Sequence, residues 1–386
     1  MSGAHAGAMP SARSTTLARI EAQVYRYRVE TPVRTSFGVM ESRPALFVRI
    51  EDRDGAVGWG EVWCNFPEFG AEHRARLLKS VFAPLLEGRA MVDPASVCAD
   101  LAQRTAVLAI QSGEPGPIHQ CIAGIDTALW DLAARRAGEP LWRHLGGASP
   151  EVRVYASGIN PESPERTAAR SRDEGHRAFK LKVGFGAARD LANLRAMRAT
   201  LGEGAPLMVD ANQAWSLAEA LEIAPRLEEF RIGWLEEPLR ADRPWDEWRR
   251  LARATRTRLA GGENLLGLEA FEEALDAKAL SVVQPDVAKW GGISGCLAVA
   301  RRAREAGLTY CPHFLGGGVG LLASAHLLAA AGGEGLLEID ANPNPLRAAA
   351  CGQAGDVREG RIVLDERPGL GAVPDAAALA GFRVPV

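Results

Sequence analysis

Apolar and polar positions alternate with a period of two from Ile20 to about Glu61, in runs such as AQVYRYRV and ALFVRIEDRDGAVGWGE, with Asp54-Gly55 at a turn position. This pattern predicts an antiparallel hairpin or meander. TPVRTSFGVMESRP (31–44), between its strands, and WCNFPEFG (63–70), after them, read as loops: either plain connections or a lid over a neighbouring site. The period then becomes helical in AEHRARLLKSVFAPLLEG (71–88), DPASVCADLAQRTAVLA (93–109) and IHQCIAGIDTALWDLAARRAG (118–138), the last stopped by Gly138. Strands followed by helices predict an α+β module over residues 19–147, ending near Gly146-Gly147. Residues 1–18 lack the apolar run of a signal peptide and read as a disordered leader.

From Val152 to about Pro345 strand and helix patterns alternate. The eight strands are VRVYASG (152–158), AFKLKVG (178–184), LMVDANQ (207–213), WLEEP (234–238), AGGENL (260–265), SVVQPD (281–286), LTYCPHF (308–314) and GLLEID (335–340). Seven helical stretches separate them, and an eighth is either the short piece NPLRAAACG (344–352) or degraded. The fold expected is α/β, a (β/α)8-type TIM barrel over residues 148–345 with an N-terminal α+β domain. Residues 346–386, through the hairpin signal REGRIVLDERPGLG, are expected to return to that first domain. A doubly wound sheet is the alternative, but VYASGINPESP does not supply the GxGxxG turn it needs. HFLGGGVG reads either as a ligand contact through backbone N–H groups or as a flexible glycine loop.

The strand ends carry the chemistry. Asp210, Glu236 and Glu263 lie 26 and 27 residues apart, one β/α repeat each, which places three carboxylates on adjacent strand tips. Such a cluster repels itself unless a cation sits in it, and an all-oxygen set suits Mg²⁺, with Mn²⁺ as a substitute. Rim salt bridges are the plainer reading of each carboxylate alone. Lys180 and Lys182, two apart in a strand, face the same way into the barrel, where adjacent ammonium groups favour the neutral form that a base requires. Asp286 and His313 end consecutive strands: a carboxylate on Nδ1 fixes the imidazole tautomer and leaves Nε2 to exchange a proton. Glu338, on the last strand, completes the ring. A metal flanked by bases on two faces suits removal of a proton α to a carboxylate.

Composition narrows the partners. A formal net charge of -3 gives no reason to expect nucleic acid. The six cysteines form no CxxC pair and suit reduced thiols in a cytoplasmic protein. The apolar run LLASAHLLAAA (321–331) is too short to span a bilayer.

The ordered set GIDTALWDLAARRAGEPLWRHLGG (124–147), KLK (180–182), VDANQAW (209–215), EEP (236–238), GGEN (261–264), QPDVAKWGG (284–292) and PHF (312–314) resembles the mandelate racemase and muconate lactonizing enzyme family of the enolase superfamily. The resemblance covers nearly the whole chain after the leader. It implies a capping domain whose loops, 31–44 and 63–70 here, help choose the substrate. It also implies metal ligands Asp210, Glu236 and Glu263, a base Lys182 with Lys180 beside it, and the Asp286–His313 dyad of the mandelate racemase subgroup. Lys289 follows Asp286 too closely to be the lysine that muconate-lactonizing members place on that side, and LGGGVG looks longer than the mandelate-racemase connection. Asn212, two beyond Asp210, is expected to face inward toward an α-hydroxyl, with Arg34 and Asn65 as polar contacts in the lid. The expected reaction is dehydration of a sugar acid or related hydroxy acid to a 2-keto acid. The alternatives are a racemase or epimerase of a 2-hydroxy acid and, in another class, an inactive binding or scaffold protein. The expected partners are a small hydroxylated carboxylate and further copies of the chain, as a homo-oligomer.

Overall fold

The computed structural model describes residues 14–386. Two-residue alternation builds the first sheet: β1 (Thr15–Thr35) and β2 (Gly38–Asp52) pair antiparallel, and β3 (Val57–Val62) joins β2. β4 (Ala90–Met91) pairs with the start of β1. Leu46, Val48, Ile50 and Val62 pack against α1 (Gly70–Leu77), α2 (Ala83–Leu86), α3 (Pro94–Ser112) and α4 (Pro115–Ala137). A π turn, Leu78–Phe82, joins α1 to α2. The opposite face, with Ala45 and Phe47, belongs to the core shared with the barrel.

Two expectations change here. The stretch 31–44 is not a loop but the end of the β1–β2 hairpin, turning at Ser36 and Phe37. A register shift between Arg28 and Val33 accommodates Pro32, which has no N–H for the ladder. Of the leader expected over residues 1–18, residues 1–13 lie outside the described residues, and Thr15 to Ala18 already belong to β1.

α5 (Leu141–His144) leads into the barrel. Its elements are β5 (Glu151–Ile159), α6 (Pro164–Asp173), β6 (Phe179–Lys182), α7 (Ala187–Leu201), β7 (Leu207–Asp210), α8 (Leu217–Leu227), β8 (Leu235–Glu236) and α9 (Trp245–Ala254). They continue as β9 (Leu259–Gly261), α10 (Leu268–Ala277), β10 (Val282–Val283), α11 (Gly292–Glu305), β11 (Thr309–Tyr310), α12 (Gly318–Ala331), β12 (Leu337–Asp340) and α13 (Pro345–Cys351). The short piece NPLRAAACG thus supplies a helix, capped by the Asn344 side chain. The strands run parallel in the order β11-β10-β9-β8-β7-β6-β5-β12. Outward-facing Leu181, Val209, Leu235 and Leu259 pack under the helices.

The C-terminal segment divides its contacts. β13 (Arg361–Val363) pairs antiparallel with the start of β5, and the end of REGRIVLDERPGLG then reaches the capping domain, where the Leu370 N–H donates to Asp131 of α4 at 2.6 Å. Only after α14 (Ala376–Leu379) does β14 (Arg383–Val384) pair with β1.

Buried polar groups seat the cap on the barrel. Arg43 of β2 pairs with Asp340 at the end of β12, both almost fully buried. Asp126 of α4 accepts hydrogen bonds from Ser294 N (2.9 Å) and Ser294 Oγ (2.6 Å) in the first turn of α11. Among the described residues, no helix is long and apolar enough to cross a membrane.

His326, inside α12, accepts the Trp142 N–H on Nδ1 at 2.9 Å. Burial lowers its pKa from 6.5 to about 4, so its contribution to stability is present above pH 6.5 and lost as pH falls towards 4. Between pH 7 and 4.5 the wild type is expected to lose about 2 kcal/mol relative to His326→Asn in urea unfolding. A stability difference that stays constant across that window would show that the imidazole is not held neutral.

Candidate active site

The barrel interior is layered. Tyr155, Ala178, Met208, Trp234, Ala260, Val282 and Cys311 form a buried apolar plug. Above it the inward alternation switches to charge, because each strand ends there and side chains from the last positions meet the chain's C-terminal face.

Lys182, Asp210 and Glu236 stand in register across β6, β7 and β8. Lys182 Nζ lies 2.6 Å from Asp210 Oδ2, and Lys180 Nζ bridges Glu236 Oε1 (2.5 Å) and Glu338 Oε1 (2.8 Å). Burial would lower both lysine pKa values, but Asp210 raises that of Lys182, and Glu236 and Glu338 carry that of Lys180 well above its ordinary value. The lowered lysine pKa expected from their adjacency is therefore not found: each ammonium lies against a carboxylate, which outweighs the repulsion between the two. Glu236 also accepts from Trp234 Nε1 (3.0 Å) and Gln284 Nε2 (2.6 Å). Burial raises its pKa, Lys180 lowers it and Asp210 and Glu338 raise it again, leaving it at about 7.

Across the barrel mouth, His313 Nδ1 is 2.7 Å from Asp286 Oδ2, the dyad expected from the sequence, and Asp286 Oδ1 accepts the Ala288 N–H at 2.7 Å. Nε2, expected to be free, lies 2.5 Å from Glu263 Oε2. Burial disfavours the imidazolium, but Glu263 and Glu338, with the Asp286 hydrogen bond, raise the His313 pKa well above its usual value. Burial likewise opposes ionisation of Glu338, yet Lys180 and His313 hold its pKa at about 2. Glu338 Oε2 also accepts the Phe314 N–H at 3.1 Å, and Ser157 Oγ donates to Oε1.

Asp210 and Glu263 lie within electrostatic reach of Glu236, although among the described residues no three acidic or imidazole groups are already disposed to hold a metal ion. Each of the three is drawn instead to a cationic neighbour, Glu263 also lying 3.1 Å from Lys289. The donor chemistry nevertheless fits a dication. Six buried carboxylates (Asp210, Glu236, Glu237, Glu263, Asp286 and Glu338) stand among four cationic groups, Lys180, Lys182, Lys289 and His313, and burial with neighbouring carboxylates raises the pKa of Glu236 and Glu237, a crowding that a dication would relieve. Two buried oxygens, Glu263 Oε2 and Asn212 Oδ1, have no aligned hydrogen-bond donor. The close Glu263–His313 approach is an ion-pair contact to the same Oε2.

Asn212 is turned back by a left-handed φ of 44°, and its Nδ2 donates to Asp210 Oδ2 at 3.2 Å, so its free oxygen is what can meet a hydroxyl. At the β1–β2 hairpin end, Arg34 is half-exposed and paired with Glu162 at 3.5 Å. Asn65 is committed to the Leu315 carbonyl at 2.5 Å. Phe37 and Phe66 stack edge to face with centroids 5.2 Å apart. Of the backbone N–H groups of LGGGVG, those of Gly317 and Gly320 donate to Glu61. Sequence reading missed Tyr155, Ser157, Gln284 and Glu237. Only Ser157 carried a signal, as the polar member of an inward alternation with Tyr155.

Residues 19–146 match the mandelate racemase / muconate lactonizing enzyme N-terminal domain, and residues 164–378 the enolase C-terminal domain-like family. The chain belongs to the mandelate racemase/muconate lactonizing enzyme family of the enolase superfamily. A mandelate racemase/muconate lactonizing enzyme structure from Bordetella bronchiseptica RB50 is 58% identical, with a TM-score of 0.90, covering 96% of this chain and 99% of that one. A racemase from Streptomyces coelicolor A3(2) with bound magnesium is 31% identical, with a TM-score of 0.86, covering 95% and 100%. The D-galactarolactone cycloisomerase of Agrobacterium fabrum is 31% identical over 382 residues, covering 95% of this chain and 98% of that one. Dehydratases and racemases also occur among the relatives of this family member, and a solved L-talarate/galactarate dehydratase mutant holds Mg and L-glucarate. The protein is thus an enzyme of a metal-assisted superfamily, suited to general acid and base chemistry on a carboxylate substrate.

Proposed function

We propose that this enzyme removes the proton α to the carboxylate of a hydroxylated acid and expels the β-hydroxyl, converting a sugar acid or related hydroxy acid to a 2-keto acid. The observation that carries the reading is the placement of Lys182 and His313. One ends β6 and the other follows β11, far apart in the strand order, each buried beside a carboxylate of the same cluster. Two proton carriers that approach a bound acid from different sides can take a proton on one face and deliver one on the other.

Asp210, Glu236 and Glu263 are the residues proposed to hold a divalent ion, Mg²⁺ or Mn²⁺, which when bound acidifies the α C–H by neutralising the substrate carboxylate. Lys182 takes the α-proton in its neutral form, which opens to it once Asp210 is engaged by the ion and no longer by the ammonium, and Lys180 is placed beside the carboxylate. His313, held by Asp286, gives its Nε2 proton to the leaving hydroxyl as the Cα–H and Cβ–O bonds break and water departs. The resulting enol becomes the 2-keto acid. Asn212 Oδ1 accepts from a substrate hydroxyl, and Glu338 holds Lys180 and the Phe314 N–H in place. Arg34 remains a proposed contact at the lid, and Asn65 acts through the Leu315 turn. The dehydratases of sugar acids among the relatives support this reaction.

The same two carriers support a second reading, racemisation or epimerisation, with the proton returned to the opposite face. One experiment separates the two: metal-loaded protein incubated with mono- and diacid sugars in D2O, assayed for 2-keto product and for deuterium at the α-carbon. Keto product is the expected result. Exchange with inversion and no product would replace dehydration by epimerisation, and neither outcome with any acid would overturn the assignment.

A further inference from the structure

Glu61 lies on the barrel-facing side of the capping sheet, opposite Phe47 in register, with only 3% of its surface exposed. Its two oxygens accept the N–H groups of Gly317 (2.5 Å) and Gly320 (2.8 Å) at the start of α12. Burial lifts its carboxyl pKa to about 7 despite these donors, so the contact is kept at a desolvation cost. The glycines are what admit it. A Cβ at Gly317 would come within 2.8 Å of Glu61 Oε1, and one at Gly320 within 2.3 Å of the Phe314 ring.

The segment so held is the one that follows His313. Phe314 N donates to Glu338, Asn65 Nδ2 donates to the Leu315 carbonyl, and Asn344 Nδ2 donates to the Gly316 carbonyl at 3.0 Å. The Asp286 side is gripped in the same manner: Trp63 N donates to the Ala288 carbonyl at 3.1 Å, and Asp126 caps α11. Near Asp210, by contrast, the cap reaches in through the hairpin tip, where Ser36 Oγ donates to the Asn212 carbonyl at 2.7 Å and Phe37 is 61% exposed.

We propose that Glu61 is a positioning residue for the histidine face of the site: by fixing the turn between His313 and α12 it sets where the imidazole and the Phe314 N–H stand. Seating of the capping sheet thereby assembles one of the two proton carriers. This rests on the reading of His313 as a proton carrier and adds the residue that places it.

The test uses full-length protein labelled with ¹⁵N-histidine, the ring signals of His313 being assigned by their loss in His313→Asn. Glu61→Ala is expected to shift or broaden those signals. Glu61→Gln, which keeps one acceptor oxygen, should restore them in part. Asp52→Asn, which loosens the cap at its contacts with Thr15 and Arg136, away from this turn, should leave them in place. With an acid that the wild type turns over, Glu61→Ala should lower kcat by about tenfold or more with little change in KM. His313 signals in Glu61→Ala that superimpose on the wild type, or that move equally in Asp52→Asn, would overturn the inference. If Glu61→Ala does not fold, Glu61→Gln decides by the same criteria. A wild type inert towards every acid would remove the proposed reaction, and the ring signals would still decide the positioning role.

Discussion

His313→Asn is expected to lower product formation by about 10³-fold while α-deuterium incorporation persists. Asparagine is close to imidazole in size near the backbone and can still hydrogen-bond Asp286, but it carries no transferable proton. The leaving hydroxyl then departs unassisted, whereas Lys182 continues to exchange the α-proton with solvent. Lys182→Ala should give the complementary result, losing product and exchange together, because the α-proton is never removed. The pair of variants therefore separates the two faces without needing the substrate's natural identity, provided one acid is turned over. Normal exchange and normal turnover in both variants would defeat the two-carrier mechanism. Exchange lost in His313→Asn and retained in Lys182→Ala would exchange the two roles.

Saturating Mg²⁺ or Mn²⁺ is expected to raise the melting temperature, and Asp210→Asn, Glu236→Gln or Glu263→Gln to abolish the rise. A ligand bound only by the folded state at about 100 times its Kd adds about 2.7 kcal/mol, equivalent to roughly 3 °C for a chain of 386 residues. The origin is the crowding of buried carboxylates, which raises the pKa of Glu236 and Glu237 and which a dication relieves. Removal by a chelator should return the melting temperature to its starting value and stop turnover. A wild type whose melting temperature ignores both metals would leave the carboxylates as ion-pair partners of the lysines and favour a barrel that binds without catalysing.

The sequence made the barrel legible because charged residues recur where apolar segments stop, and only strand tips at a solvent-facing mouth tolerate that pattern. The Asp286–His313 pair could be read from consecutive tips, and the structure places His313 Nδ1 2.7 Å from Asp286 Oδ2. The hairpin over 31–44 was hidden by Pro32 and Pro44, which suggest a loop until the register shift beside Pro32 is known. Partners such as Gln284 for Glu236, or Glu61 for Gly317, join positions 48 and 256 residues apart, and no local period reports them. The lysine pKa direction failed for a related reason: adjacency in sequence gives the repulsion between two ammonium groups but not the nearer carboxylates supplied by other strands.

The carboxylates that Asp126 and Glu61 send into consecutive barrel helices have a consequence for engineering. The N-terminal module is not an interchangeable cassette. A graft taken from another member of the superfamily would have to bring acidic side chains to the same two berths, and find Ser294, Gly317 and Gly320 waiting there, before a new lid could be judged on its choice of substrate.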